Sequence, residues 1–178
     1  MARWQLLIAA LLASTLGACG GVSSQGVSPT SLSAPPIATT QEAQLKSAAG
    51  DGLGAEVTRV SVSGSPGSYS FSVTVRSPDT GCDQYADWWE VVTPEGQLIY
   101  RRVLLHSHVG EQPFTRSGGP VKVQPSETVI VRAHMNSAGY GKVGLSGTVA
   151  SGFTSTELLR NFGEDLAQRA PLPASCRF

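Results

Sequence analysis

The sequence predicts an all-β domain: an antiparallel β-sandwich of seven to eight strands with a short C-terminal helix. Three observations predict it. Between residues 55 and 150, apolar and polar residues alternate with a period of two, the mark of strands buried on one face. Turn-forming clusters ("SGSPGS", "SPDTG", "TPEGQ", "RSGGP", "QPSE", "NSAGYG") interrupt that alternation at intervals of about ten residues. One run, "YADWWEVV", carries two adjacent tryptophans that must point to opposite faces of a central strand.

Each element follows from its own residues. "SYSFSVTV" places Tyr69, Phe71, Val73 and Val75 on one face, with Ser68, Ser70, Ser72 and Thr74 on the other. In "YADWWEVV" one of Trp88 and Trp89 fills the core. On the strand from Gln97, Ile99, Arg101, Val103 and Leu105 share one parity and, being mostly apolar, are placed inward. Leu98, Tyr100, Arg102, Leu104, His106 and His108 take the outer parity. "TVIVRAHM" turns Val129, Val131, Ala133 and Met135 inward, and Thr128, Ile130, Arg132 and His134 outward. "KVGLSGTV" turns Val143, Leu145 and Val149 inward. After Gly152 the period changes. Thr154-x-x-Glu157 reads as a capping box, and Leu158, Leu159, Phe162 and Leu166 follow at helical spacing until Pro171. Residues 151–178 are therefore read as a helix lying on the 55–150 sandwich, followed by a tail. The layout resembles that of immunoglobulin and fibronectin type III domains. The likeness is one of architecture, since the Cys…Trp…Cys spacing of antibody domains is absent.

The N-terminal region reads differently. "MARWQ" carries one positive charge, Arg3, and "LLIAALLASTL" is apolar but far shorter than the ~20 residues a spanning helix needs. Residues 1–18 thus read as a secretory signal. Leu16-Gly17-Ala18-Cys19 then resembles the lipobox of bacterial lipoproteins. That resemblance implies cleavage before Cys19, which becomes the N-terminus and carries a diacylglyceryl thioether. Several acyl chains, at roughly 0.8 kcal/mol per buried CH₂, hold a small domain on a membrane far better than one. Gly20, where Asp would retain the protein, implies sorting to the outer membrane in a Gram-negative cell, on its periplasmic or surface side. Residues 19–54 are rich in Ser, Thr, Pro, Gly and Ala and contain no aromatic residue. Such a segment buries too little surface to offset its ordering entropy and reads as a disordered tether with a reach of roughly 30 Å.

The chain has three cysteines. With Cys19 assigned to the lipid, Cys82 and Cys176 remain. An exported chain without a C-x-x-C favours a Cys82–Cys176 disulfide over free thiols or a metal pair. The loop so closed is worth about 4 kcal/mol in the chain-entropy model.

Charge excludes one class of function. Thirteen basic and thirteen acidic side chains balance, and no basic stripe or aromatic platform marks a nucleic-acid partner. No G-x-S-x-G elbow, HExxH or phosphate-cradling loop is present. Asp79-Thr80-Gly81 has the tripeptide of aspartic proteases but stands in a turn. Ser107 alternates away from its flanking histidines on a regular strand. The chain thus reads as a non-enzymatic envelope lipoprotein, attached to a membrane by its lipid and binding an envelope protein or glycan. The alternative is a metal-binding lipoprotein. His106 and His108 stand about 7 Å apart on one strand face. If the strands around residues 90, 103 and 132 are neighbours, His134 joins them in a three-nitrogen site for Zn or Cu. Asp83, Asp87 and Glu111 are carboxylates in position to orient those rings. Hydrolysis by such a metal ranks third. Tyr100, Arg102 and Arg132 surround the histidines as a partner face, and Phe114 and Arg116 offer contacts from the loop that follows.

Overall fold

The computed structural model describes residues 54–177. The signal segment, Cys19 and the tether up to residue 53 lie outside the described residues. Nine strands follow one another: β1 (Glu56–Ser65), β2 (Ser68–Arg76), β3 (Ala86–Val92), β4 (Leu98–Val103), β5 (Phe114–Val121), β6 (Val129–Met135), β7 (Gly139–Tyr140), β8 (Val143–Thr148) and β9 (Gly152–Glu157). They form two antiparallel sheets, a β-sandwich-like arrangement. The small sheet runs β1-β2-β5; the large one runs β4-β3-β6-β8-β9, with β7 paired to β6.

The alternation read from the sequence places the core. Phe71, Val73, Val75, Val129, Val131 and Met135 are fully buried between the sheets. Trp89 is the tryptophan that fills the core, its ring 5.6 Å from that of Tyr100. β5 crosses this pair at Gly118, where a Cβ would stand 2.5 Å from the Tyr100 hydroxyl and 3.1 Å from the Trp89 ring. The absent side chain lets the small sheet approach the indole.

The large sheet has the expected neighbours. Glu90 on β3 lies opposite Arg101 on β4 and Arg132 on β6. Besides the "RSGGP" turn and the loop expected to hold Phe114 and Arg116, which are strand β5, two features differ from the sequence reading. First, the parity on β4 is the reverse of that expected. Arg101 shares the face of Glu90, away from the small sheet, whereas Tyr100 packs into the core. An arginine opposite a carboxylate is held on the ion-paired face, because burying it unpaired among valines would cost several kcal/mol. β4 also ends at Val103, so His106 and His108 belong to the loop beyond it.

Second, the C-terminal helix is replaced by a strand and a pinned tail. Gly152–Glu157 forms edge strand β9, paired with β8 over six residues. The hydroxyls of "TST", read as a helix cap, sit instead on a solvated edge that suits β-branched threonine. Beyond it, the sole helical element among the described residues is a five-residue 3-10 helix, Glu164–Gln168, preceded by Gly163 in the left-handed conformation at φ 53°. Short-range backbone bonds remain at the Gly163 and Leu166 carbonyls, and arginine side chains bond these and the Phe162, Arg169 and Pro171 carbonyls. The tail then closes through a Cys82–Cys176 disulfide, with a Cα–Cα distance of 5.6 Å, and the Arg177 N–H donates to the Leu105 carbonyl at 2.6 Å.

Candidate functional site

Three clusters carry the polar chemistry of the domain. The largest lies on the far face of the large sheet. Glu90, in the apolar run "WWEVV", is 0% exposed and bridges two buried arginines. Its Oε2 accepts from both Arg101 Nε and Nη2, at 2.8 and 2.6 Å, and its Oε1 accepts from Arg132 Nε at 2.8 Å. The remaining guanidinium donors go to the tail. Arg101 donates to the carbonyls of Leu166, Arg169 and Pro171, and Arg132 to those of Phe162 and Gly163. The Arg101 guanidinium lies 4.4 Å over Trp88 and that of Arg132 lies 3.5 Å over Tyr140. Burial, with the Glu90 charge second, pushes the Tyr140 hydroxyl up to about 12. Two positive charges on one carboxylate leave an excess charge, which the five tail carbonyls and two aromatic faces solvate in place of water. The face expected to meet solvent is therefore sealed by the chain itself.

His134 belongs to this sealed face. Its ring stacks on Trp88 with centroids 3.8 Å apart, and its Nδ1 meets Asp87 Oδ1 at 2.7 Å. A carboxylate only accepts, so Nδ1 carries the proton. Asp87 thus orients His134, but in a wall of packed rings.

The second cluster is built on Asp79. The turn "SPDTG" holds this carboxylate buried, where it accepts from the Ser77 hydroxyl (2.6 Å), the Ala86 N–H (3.0 Å) and the His108 N–H (2.8 Å). Sequence reasoning dismissed the aspartate as a turn residue. Its two backbone donors come from Ala86 and His108, seven and 29 residues away, so no local signal marked it. His108 is 3% exposed, stacked on Phe114 with centroids 3.7 Å apart, and 4.5 Å from the ring of exposed His106. Burial first, then the charges of Arg116 and His106, pushes its pKa down to about 4 from 6.5.

That shift has a measurable consequence. The unfolded chain takes up a proton near pH 6.5, whereas the folded ring resists it until about pH 4. The His108 contribution is therefore complete above pH 6.5 and is lost as the pH falls toward 4, by at most about 1.4 kcal/mol per pH unit. Urea unfolding with EDTA present, at steps between pH 7 and 4, should show this fall, and a His108→Phe variant should flatten it.

The third feature is the outer face of the small sheet. Ser68, Ser70, Ser72 and Thr74 on β2 stand beside Thr115 and Ser117 on β5, and Thr74 and Thr115 share a 2.9 Å hydrogen bond. A shallow cleft of about 330 Å³ opens there beside Gly119 and Pro120.

The expected three-histidine site is not assembled. His106 and His108 lie in the loop after β4, whereas His134 is held in the Trp88 wall. Among the described residues no three His, Cys, Asp or Glu side chains group closely enough to hold a metal ion. Alternation placed all three on one face only by extending β4 through residue 108. The expected partner face is divided as well. Arg132 and Phe114 are buried, and Tyr100 packs on Trp89. Arg102 is exposed, and Arg116 is paired to Glu111 at 2.8 Å. Arg116 is the partner that lowers the exposed Glu111 carboxyl.

No family model matches the chain, and no solved structure does. The chain is similar to a protein of Halomicrobium mukohataei that bears the name "Putative lipoprotein", with 43% identity over 84 residues. The match covers 47% of this chain and 41% of the relative, so the chain spans about two fifths of that protein's length.

Proposed function

We propose that the chain is an exported lipoprotein. In this reading it is anchored to a membrane through Cys19 and presents a non-enzymatic β-domain on a tether to a partner in the cell envelope. The observation that carries this reading is the use of its three cysteines. Cys82 and Cys176 are joined in a disulfide, the form favoured outside the reducing cytosol. The third, Cys19, ends the Leu-Gly-Ala-Cys stretch. The relative's name points the same way.

The domain suits display. Its tail is fastened by the disulfide and by two arginines, so it withstands an extracytoplasmic setting. The hydroxyl-rich outer face of the small sheet, with its cleft, is the surface we assign to an uncharged polar partner such as a glycan or a protein loop. Serine and threonine hydroxyls both donate and accept, so such a face bonds many polar ligands without a charge match.

Growth with labelled palmitate tests the anchor. The wild-type chain should carry label and sediment with membranes. The Cys19→Ser variant should carry none and leave the membrane fraction. An unlabelled wild-type chain, or a Cys19→Ser chain that stays labelled, would refute the lipid anchor.

A further inference from the structure

We propose that His106 and His108 form a two-imidazole site for a divalent transition-metal ion, copper(II) foremost, at the loop after β4. The inference is independent of the lipid anchor. It starts from an anomaly: His108 is buried, yet neither of its ring nitrogens has a hydrogen-bond partner. Buried polar groups are nearly always satisfied, and leaving one bare costs about 1–3 kcal/mol. A ligand at the ring removes that cost.

The surroundings indicate which ligand. The exposed ring of His106 lies against His108 at 4.5 Å between centroids, so one ion reaches both with a small turn of the free ring. Asp79 Oδ2 lies 3.8 Å from His108 Nδ1. That is too long for a hydrogen bond, but the Asp79 charge beside Nδ1 favours a cation at the ring. The loop is also fixed in advance. The His108 N–H is held by Asp79, and its carbonyl accepts from the Glu111 N–H and the Gln112 side chain. The Leu105 carbonyl is held by Arg177. Phe114 backs the ring on its stacked face.

Arg116, the nearby cation, is partly offset by Glu111 in a bidentate pair at 2.9 and 2.8 Å. Imidazole donors suit Cu, Zn and Ni, and affinity for a given nitrogen site peaks at Cu²⁺. With two protein donors the remaining positions go to water, which makes the ion exchangeable.

Copper alone, titrated into the full chain in detergent, is the test, followed by calorimetry and electron paramagnetic resonance. One Cu²⁺ per chain with nitrogen hyperfine structure is expected. Affinity should fall at least tenfold in His106→Ala, whose exposed side chain leaves the fold intact, and stay unchanged in His134→Ala. Absence of saturable binding, or binding that survives His106→Ala at full affinity, would overturn the site. Either result leaves palmitate labelling of Cys19 untouched, so the two proposals fail separately.

Discussion

Replacing Glu90 with alanine should destabilise the domain by about 3–5 kcal/mol, the cost of removing one partner from a buried ion pair. The upper end is expected, because this carboxylate serves two arginines whose side chains are almost wholly buried. Both would be left charged with only carbonyls and ring faces for neighbours. Domains of this size are stable by about 5–15 kcal/mol, so the variant would stand near the edge of folding. Glu90→Gln keeps the volume and one acceptor but loses the charge, and should recover only part of the loss. By contrast Arg76→Ala, which breaks an exposed pair with Glu56, should cost no more than about 1 kcal/mol. Denaturant midpoints at constant slope measure all three. Apolar replacement of a buried triad can be neutral. Here it would strand the tail carbonyls of Phe162, Arg169 and Pro171, which the arginines bond.

Removing the disulfide is the second large effect. A Cys82→Ser, Cys176→Ser double variant should lose about 2–5 kcal/mol, with about 4.7 expected from the entropy of a 94-residue separation. The loss should be uneven. Residues 158–171 remain bound through Arg101 and Arg132, whereas 172–177 lose their anchor. Amide exchange should therefore rise first at the Arg177 N–H that pairs with Leu105. Uniformly increased exchange along the tail would mean that the arginine contacts hold it less firmly than their geometry implies.

Much of the fold was legible in the residues, and the errors have one physical origin. Alternation located the inward faces of β2, β6 and β8, because a half-buried strand separates apolar from polar side chains whatever lies beyond. It could not tell which outward face meets water. Ile130, Arg132 and His134 read as solvated, yet a distant segment of chain covers Arg132, and Trp88, Asp87 and Tyr140 enclose His134. Glu90, Arg101 and Arg132 each interrupt an apolar run with a charge. Three such interruptions on neighbouring strands are the trace of a buried network, visible only once strand order is known. Likewise Leu158, Leu159, Phe162 and Leu166 have helical spacing, but Gly163 and the arginine donors divert their backbone. The cysteine pairing was readable because only two thiols remained after Cys19. His108 was singled out by its motif, but not Asp79, whose importance comes from donors that the fold delivers.

The most direct test of the account is the intact, non-reduced mass of the chain isolated from membranes. A mass that begins at Cys19, carries acyl groups on that residue and lacks two hydrogens for the Cys82–Cys176 bond is the result expected. An uncleaved or unacylated chain, or free thiols at both Cys82 and Cys176, would contradict it.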